Sequence, residues 1–462
     1  MADPSIMHYV NFLMDHGLAP YRDIVDINLP GAYFIEGWAM HVFGGGDLGW
    51  RLYDFFLLSV LIVSLVVISL PYDWFAGFYA GIVFLLIHGA EGPWNAGQRE
   101  QAMITLIMVS YALLFTAMRR QERLLLLPFG FIIGLASSLK PTAAPLALIL
   151  LLMAAQALRR KGIKVSSYLA YGFSGLLLSL LINLVFFNRY HAFHDFIAIW
   201  GRLGPYYASI GNSSLHSLLH TLIPNPYRVL LVIGGILTYT NRKEKEWENW
   251  ERCALGFGAL FGAFSFILQR KNFDHHAYSF VVFVLLWSAI EFSKAWRKKG
   301  WPLATGVACF AVGIFVVVPS LASRVAHADP DNEQSDSLRS DLNRLGGVNL
   351  QHQVQCFDMV ASCYGTLYRL QLLPYSNIMG DYMFFGSPGS APLPYYRNMM
   401  WNRLQENPPK VIVVTNEWLG GPFSFEKVQQ WPQLVSFLDS KYSLDTTRSS
   451  RIFAYRIYLL KK

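Results

Sequence analysis

Runs of roughly 17 to 20 apolar residues recur along this chain, and nothing in the sequence constrains its fold more. Each is long enough for a helix across a bilayer core about 30 Å thick. The runs predict spans over 52–70, 73–90, 101–117, 123–138, 142–157, 166–187, 226–240, 253–268, 277–294 and 301–320. Lipid offers no partner to exposed backbone N–H and C=O groups, so every span has to be helical. The charge content agrees. Only 15% of the 462 residues are charged, against about 25% in soluble domains. The chain reads as a polytopic α-helical membrane protein.

A net charge of +8 suggests nucleic acid until its placement is considered. Lys and Arg concentrate in alternate connections, "RRQER", "RRKGIK", "NRKEKEWENWER" and "KAWRKKG", and are sparse in the connections between them. Such a bias sets orientation: the basic loops face the cytoplasm. No nucleic-acid partner is expected. Residues 1–51, "EGPWNAGQRE", "SSLKPTAA", 188–225, "QRKNFDHHA" and everything after Leu321 then face outward, to the periplasm or cell exterior. Residues 1–51 need export, yet no apolar segment or signal peptide precedes them; the expectation is that a leading membrane helix is missing from the chain as given.

Three zones follow. Residues 1–51 form an outer loop, 52–321 a membrane block of about ten helices, and 325–462 a soluble tail entered through the polar "SLASRVAHADPDNEQSDS". In the first zone Asp3, Pro4 and Gly17 read as the cap, first turn and stop of a helix. Ile6, Val10 and Leu13 give it one apolar stripe. "GAYFIEGWAMHVFG" gives a second short helix; both suit the membrane interface. In the tail, "HQVQCFDM", "PKVIVVT" and "RIFAYRIYLL" read as strands and "YYRNMMWNRLQEN" and "WPQLVSFLDSKY" as helices, a small α/β domain. Cys253 and Cys309 read as packing residues. Cys356 and Cys363 lie where a disulfide is permitted, and only geometry decides whether they pair.

The spans hold almost no ionisable residue: Asp54, Asp73, His88, Arg228 and Glu291 sit at or near their ends. An ion-coupled transporter places charges at bilayer depth on broken helices, and neither is evident. Chemistry is therefore sought at the outer face. There Asp3, "GLAPYRDIVDINLPGAY", "FGGGDLGWR", "GLASSLKP" (134–141) and "QRKNFDHHAYSF" (269–280) follow in order. In that order they resemble the GT-C glycosyltransferases, in particular the branch of protein O-mannosyltransferases and of bacterial enzymes that modify lipid A and LPS.

The resemblance implies an all-α polytopic membrane domain with interfacial helices in the first outer loop, plus a small C-terminal α/β domain. It implies an integral protein of a bacterial inner membrane. It also implies a polyprenyl-phosphate sugar donor, a glycolipid, LPS or protein acceptor, and an inverting transfer of a hexose or pentose at the outer leaflet. Such a transfer needs a carboxylate to take the acceptor's proton and cations around the departing phosphate. Asp3 matches the catalytic acid of the resemblance and is also a natural helix cap. Asp23, Asp26 and Glu36 are alternative acids; the first two are equally turn formers and Glu36 a polar position on a helix. Arg22 either binds substrate or pairs with a neighbouring Asp.

Lys140, alone between apolar helices, either meets the donor phosphate or snorkels to the interface. Arg99 serves phosphate or pairs with Glu100. Arg270 and Lys271 are assigned to the phosphate and His275 to substrate. On a helix, His275 and His276 diverge by about 100°, so no metal site and no cofactor are expected, with dependence on a divalent metal left open. "NSS" at Asn212 matches a glycosylation acceptor pattern, a weak signal. A flippase of lipid-linked saccharide, or an assembly protein whose tail recruits partners, would explain the same spans without catalysis.

Overall fold

In the computed structural model the described residues are 3–92, 95–222, 249–296, 332–359, 362–386, 389–419, 421–449 and 453–462, with isolated residues 234, 319, 322 and 323. The N-terminal segment holds α1 (Asp3–Asp15) and α2 (Pro30–Phe43). The membrane block follows as α3 (Asp47–Ser69), α4 (Trp74–Ala90), α5 (Arg99–Arg120), α6 (Leu126–Leu139), α7 (Ala144–Arg160) and α8 (Ser166–Tyr190). Next come α9 (Phe193–Ser209), α10 (Leu215–Leu222), α11 (Asn249–Gln269) and α12 (Tyr278–Trp296). Among the described residues six stretches are long and apolar enough to cross a membrane: Asp47–Ser69, Arg99–Arg120, Pro141–Arg160, Ser166–Tyr190, Trp250–Gln269 and Asp274–Lys294. The expected spans at 73–90 and 123–138 are shorter apolar helices. Those at 226–240 and 301–320 lie outside the described residues.

Within lipid, helices gain by close backbone approach rather than by excluding water. The pairing of α6 with α8 shows this. A Cβ added at Gly175 would meet the Leu127 carbonyl at 2.1 Å, and one at Gly130 would meet the Gly172 carbonyl at 2.1 Å. Only glycine allows that contact.

The tail adds α13 (Asn332–Leu345), β1 (Val354–Phe357), α14 (Ser362–Arg369), α15 (Pro392–Glu406), β2 (Val411–Thr415), α16 (Pro432–Lys441), β3 (Tyr442–Ser449) and β4 (Ala454–Leu460). Its sheet runs β1-β2-β4-β3, with β1 and β2 parallel and the other pairs antiparallel. Two sequence expectations are corrected. The polar stretch read as linker is helical from Asn332, and β3 is a fourth strand. β3 carried no apolar alternation because it is an edge strand, mostly exposed after Tyr442. Cys356 and Cys363 form a disulfide that joins β1 to α14, while Cys253 is free.

α1 is buried on nearly every face, not along one stripe: Met7, His8, Tyr9, Val10, Phe12 and Leu13 are all enclosed. The tail supplies the cover. The Tyr9 hydroxyl donates to the Leu372 carbonyl at 2.8 Å. Val25 bridges Ile378, and Arg369 pairs with Asp47 at 2.6 Å. Residues of α1, the 19–33 segment, the end of α8, α9 and the tail sheet make one continuous apolar core, while α3 to α8, α11 and α12 make another. The interface between them holds the cavity described next.

Candidate active site

A cavity of about 690 Å³ opens where the helix ends of the membrane block meet the tail. Its floor is the α6–α7 corner, Leu139–Thr142, beside Leu268 and Gln269 at the end of α11. One wall is Asn95, Gln98 and Arg99 leading into α5; another is Lys271–His276, which ends in the 3-10 turn Asp274–Ala277. Ile27–Leu29, Trp200, Gly204, Tyr207 and Ala208 of α9, and Met359, Phe423 and Phe453 of the tail complete the lining. Helix ends apolar on one side and cationic on the other suit an amphiphile with an anionic head.

Four cationic positions were expected to converge on a phosphate, and three of them line this cavity: Lys140, Arg99 and Lys271. Lys140 neither snorkels nor stands alone. Its ammonium pairs with buried Glu100 and donates to Gln269 Oε1 at 2.5 Å. Glu100 also receives His276 Nε2 at 3.0 Å. Lys271 Nζ donates to the carbonyls of Tyr207, at 2.6 Å, and Ile210, so it clamps the end of α9 to the cavity wall. Burial among carbonyls without a carboxylate pulls its pKa down to about 8.

Arg270 is the exception. Both Arg270 and Asn272 have positive φ, at 56° and 58°. The chain turns so that Lys271 is buried and Arg270 is exposed, off the cavity lining.

The acids of the N-terminal loop are engaged elsewhere. Asp23 accepts from Arg22 at 2.7 Å and from the Ala19 amide at 2.8 Å, and the Arg22 guanidinium holds its carboxyl below the usual range. Arg22 is thereby an ion-pair partner on the surface, not part of the cavity lining. Asp26 accepts from the Ile27 amide, Asn28 Nδ2 and the Tyr33 hydroxyl, at 2.7, 2.8 and 2.8 Å. It shapes the turn that presents Ile27–Leu29 and is itself off the cavity lining. Glu36 is buried on α2, also off the lining. Asp3 is the first residue of α1, and its side chain lies outside the described residues. Among the described residues Asp274 is the one carboxylate on the cavity wall, and it is exposed. Asp274 lies within the "QRKNFDHHAYSF" stretch, where sequence alone assigns it no role.

His275 lines the cavity, as expected, with Nδ1 2.7 Å from Asn95 Oδ1. His275 and His276 are not held apart in the fold. They sit on a 3-10 turn with rings 4.7 Å apart, and Glu100 arrives from α5. One ligand atom each from Glu100, His275 and His276 lie within 4.8 Å of one another, a set that could hold a metal ion. Two of these residues each carry a buried atom, Glu100 Oε2 and His276 Nδ1, without a hydrogen-bond partner among the described residues. A nitrogen–nitrogen–carboxylate donor set suits zinc better than magnesium or calcium.

The fold has counterparts among solved structures. ArnT from Cupriavidus metallidurans, described bound to undecaprenyl phosphate, superposes with a TM-score of 0.58 over 98% of this chain and 93% of its own, at 12% identity. The fold is the GT-C fold. The archaeal oligosaccharyltransferase AglB from Archaeoglobus fulgidus, described with an inhibitory peptide and dolichol-phosphate, gives 0.54 over 98% of this chain and 70% of its own, at 10% identity. The Archaeoglobus fulgidus oligosaccharyltransferase described with zinc and sulfate gives 0.50 over 90% of this chain, at 13% identity. This chain spans 64% of that protein's length. No family model and no curated protein matches the sequence.

Proposed function

We propose that this protein is an inverting membrane glycosyltransferase. It takes a hexose or pentose from a polyprenyl-phosphate donor and passes it to an envelope glycolipid, glycan or protein at the outer face. The observation that carries the reading is Lys140. It is a lysine at the corner of two apolar helices, on the wall of a cavity large enough for a sugar phosphate, beside Arg99 and Lys271. The lipid phosphates described in ArnT and AglB make the same chemistry the natural occupant here. Held by Lys140 and Arg99, the donor's phosphate leaves with its added negative charge matched as the glycosidic bond breaks. The acceptor hydroxyl loses its proton to a carboxylate on the far side of the sugar, Asp3 in our assignment, with Asp274 the alternative on the described wall. Orientation with this face outward follows from the basic loops.

Glu100, His275 and His276 would hold a zinc-class cation, which would add positive charge beside the phosphate. With Glu100 shared in this way, the Lys140 ammonium would be available to the phosphate as well. Metal analysis of the purified protein should find about one zinc per chain, lost in His276→Ala; the same content in both would remove the site.

The functional test is direct. Purified protein in lipid nanodiscs is given undecaprenyl-phosphate sugars and envelope extract, and product is read by mass spectrometry. Sugar transfer that requires Lys140 supports the reading. Movement of the lipid-linked sugar across the bilayer with no new glycosidic bond would make the protein a flippase and refute it.

A further inference from the structure

Two acids, a histidine and a tyrosine that the proposed chemistry does not use form a hydrogen-bonded chain off the cavity lining. Asp54 on α3 lies with Oδ1 3.1 Å from His88 Nε2 on α4. His88 Nδ1 is 2.8 Å from the hydroxyl of Tyr278, which donates to Glu91 at 2.5 Å. Asp54, His88 and Tyr278 are almost wholly excluded from solvent. Carboxylates inside a membrane helix bundle are costly and rarely retained without a role.

Both ends of this chain reach cavity walls. At one end, Asp54 Oδ1 accepts from the Gly97 amide at 2.7 Å. Gly97 has φ +62°, and a Cβ there would fall 2.5 Å from the Trp50 ring. Trp50 in turn donates to the Ala96 carbonyl at 2.8 Å, and Gln101 accepts a second bond from the Gly97 amide at 3.0 Å. That fixes the turn whose neighbours Asn95, Gln98 and Arg99 line the cavity. At the other end, Tyr278 begins α12 directly after the turn that carries His275 and His276.

We infer that Asp54 and His88 are positioning residues that set the spacing between the Asn95–Arg99 wall and the His275–His276 wall. This inference rests on the proposed transferase reading for its consequence, though not for its geometry. A site of this kind tolerates little looseness: a shift of about 1 Å can cost roughly 100-fold in rate. Around metal sites, side chains that orient the ligating groups without touching the ion typically contribute about 10- to 100-fold, and the same order is expected here.

The test uses the full chain in nanodiscs, with His88→Ala, His88→Gln and the near-isosteric Asp54→Asn. Amide exchange is followed at 95–98 and at 274–278, and undecaprenyl phosphate is the binding probe. His88→Ala should raise exchange in both segments together and weaken probe binding roughly 10- to 100-fold. His88→Gln, which can still donate to Asp54, should recover most of both. Should His88→Ala fail to fold, Asp54→Asn carries the same comparison.

Response in only one segment, or unchanged probe affinity with both segments loosened, overturns the inference. Wild-type protein that does not bind the probe refutes the transferase reading instead, and the exchange measurements still decide whether the two walls are bridged.

Discussion

Replacing Lys140 by methionine has two consequences that the structure separates. The first concerns the ligand. A charge-assisted hydrogen bond to phosphate contributes about 1.5–3 kcal/mol, or roughly 10- to 150-fold in affinity. The second concerns the fold. Lys140 is the ammonium partner of Glu100, whose side chain is only 3% exposed. Removing one member of a buried pair typically destabilises by about 3–5 kcal/mol, because the remaining charge is left in low dielectric.

His276 Nε2 at 3.0 Å offers Glu100 partial relief, which puts the expected cost at the lower end. The single variant should therefore lose both stability and donor affinity, and either loss alone could be mistaken for the other. Adding Glu100→Gln removes the stranded charge. Lys140→Met with Glu100→Gln should regain most of the thermal stability while donor affinity stays down by at least tenfold. Melting curves in detergent and undecaprenyl-phosphate titrations on the same samples, each compared with Glu100→Gln alone so that any loss of the cation site is common to both, read the two effects independently. A double variant that binds the donor phosphate normally would show that Lys140 is there for Glu100 alone.

Asp3→Asn should preserve helix capping, which Asn performs about as well as Asp, while turnover falls roughly 10²- to 10⁴-fold; normal turnover would pass the base assignment to Asp274, tested by Asp274→Asn. Lys271, with its pKa drawn down to about 8, should lose its charge between pH 7 and pH 9. Donor affinity should fall across that window, and Lys271→Arg should flatten the profile. Because burial disfavours the charged lysine in the fold, its destabilising contribution is full below pH 8 and is relieved as pH rises toward 10.5. Replacing Cys356 and Cys363 by serine should cost about 2–4 kcal/mol in tail stability, read by denaturant unfolding with and without reductant; no difference would make the bond dispensable.

What the sequence disclosed and what it withheld divides along a physical line. Apolar runs fix helices locally, so α3 and α8 were legible from hydropathy alone. A lone lysine at the end of an apolar run was conspicuous for the same reason, and Lys140 does line the cavity. Its partner was not legible, because Glu100 lies forty residues earlier and reaches it only through the packing of α5 against α6. Neighbours in sequence misled where the backbone leaves helical geometry. Arg270 and Lys271 looked equivalent until left-handed residues on either side of Lys271 turned one outward and one inward. His275 and His276 looked divergent, yet one ligand atom of each lies within 4.8 Å of the other and of Glu100, which arrives from another helix. The carboxylates Asp23 and Asp26 have the composition of an active site but the hydrogen bonds of a turn.

The burial of α1 bears on whether the tail is a separable module. A protein whose tail recruits partners should keep that ability when residues 325–462 are expressed alone. Yet Met7, Val10, Phe12 and Leu13 of α1 belong to the same apolar core as the tail sheet. Burying such side chains is worth about 1.5–3 kcal/mol each, so about 6–12 kcal/mol is at stake. Even half of that rivals the whole stability of a small domain, about 5–15 kcal/mol. The isolated tail should therefore bind hydrophobic dyes and aggregate. Joining residues 3–43 to it through a flexible linker should restore a cooperative unfolding transition. A monomeric tail that unfolds cooperatively on its own would refute this argument. It would also return Met359, Phe423 and Phe453 to being the surface of an appended domain, rather than one wall of the cavity.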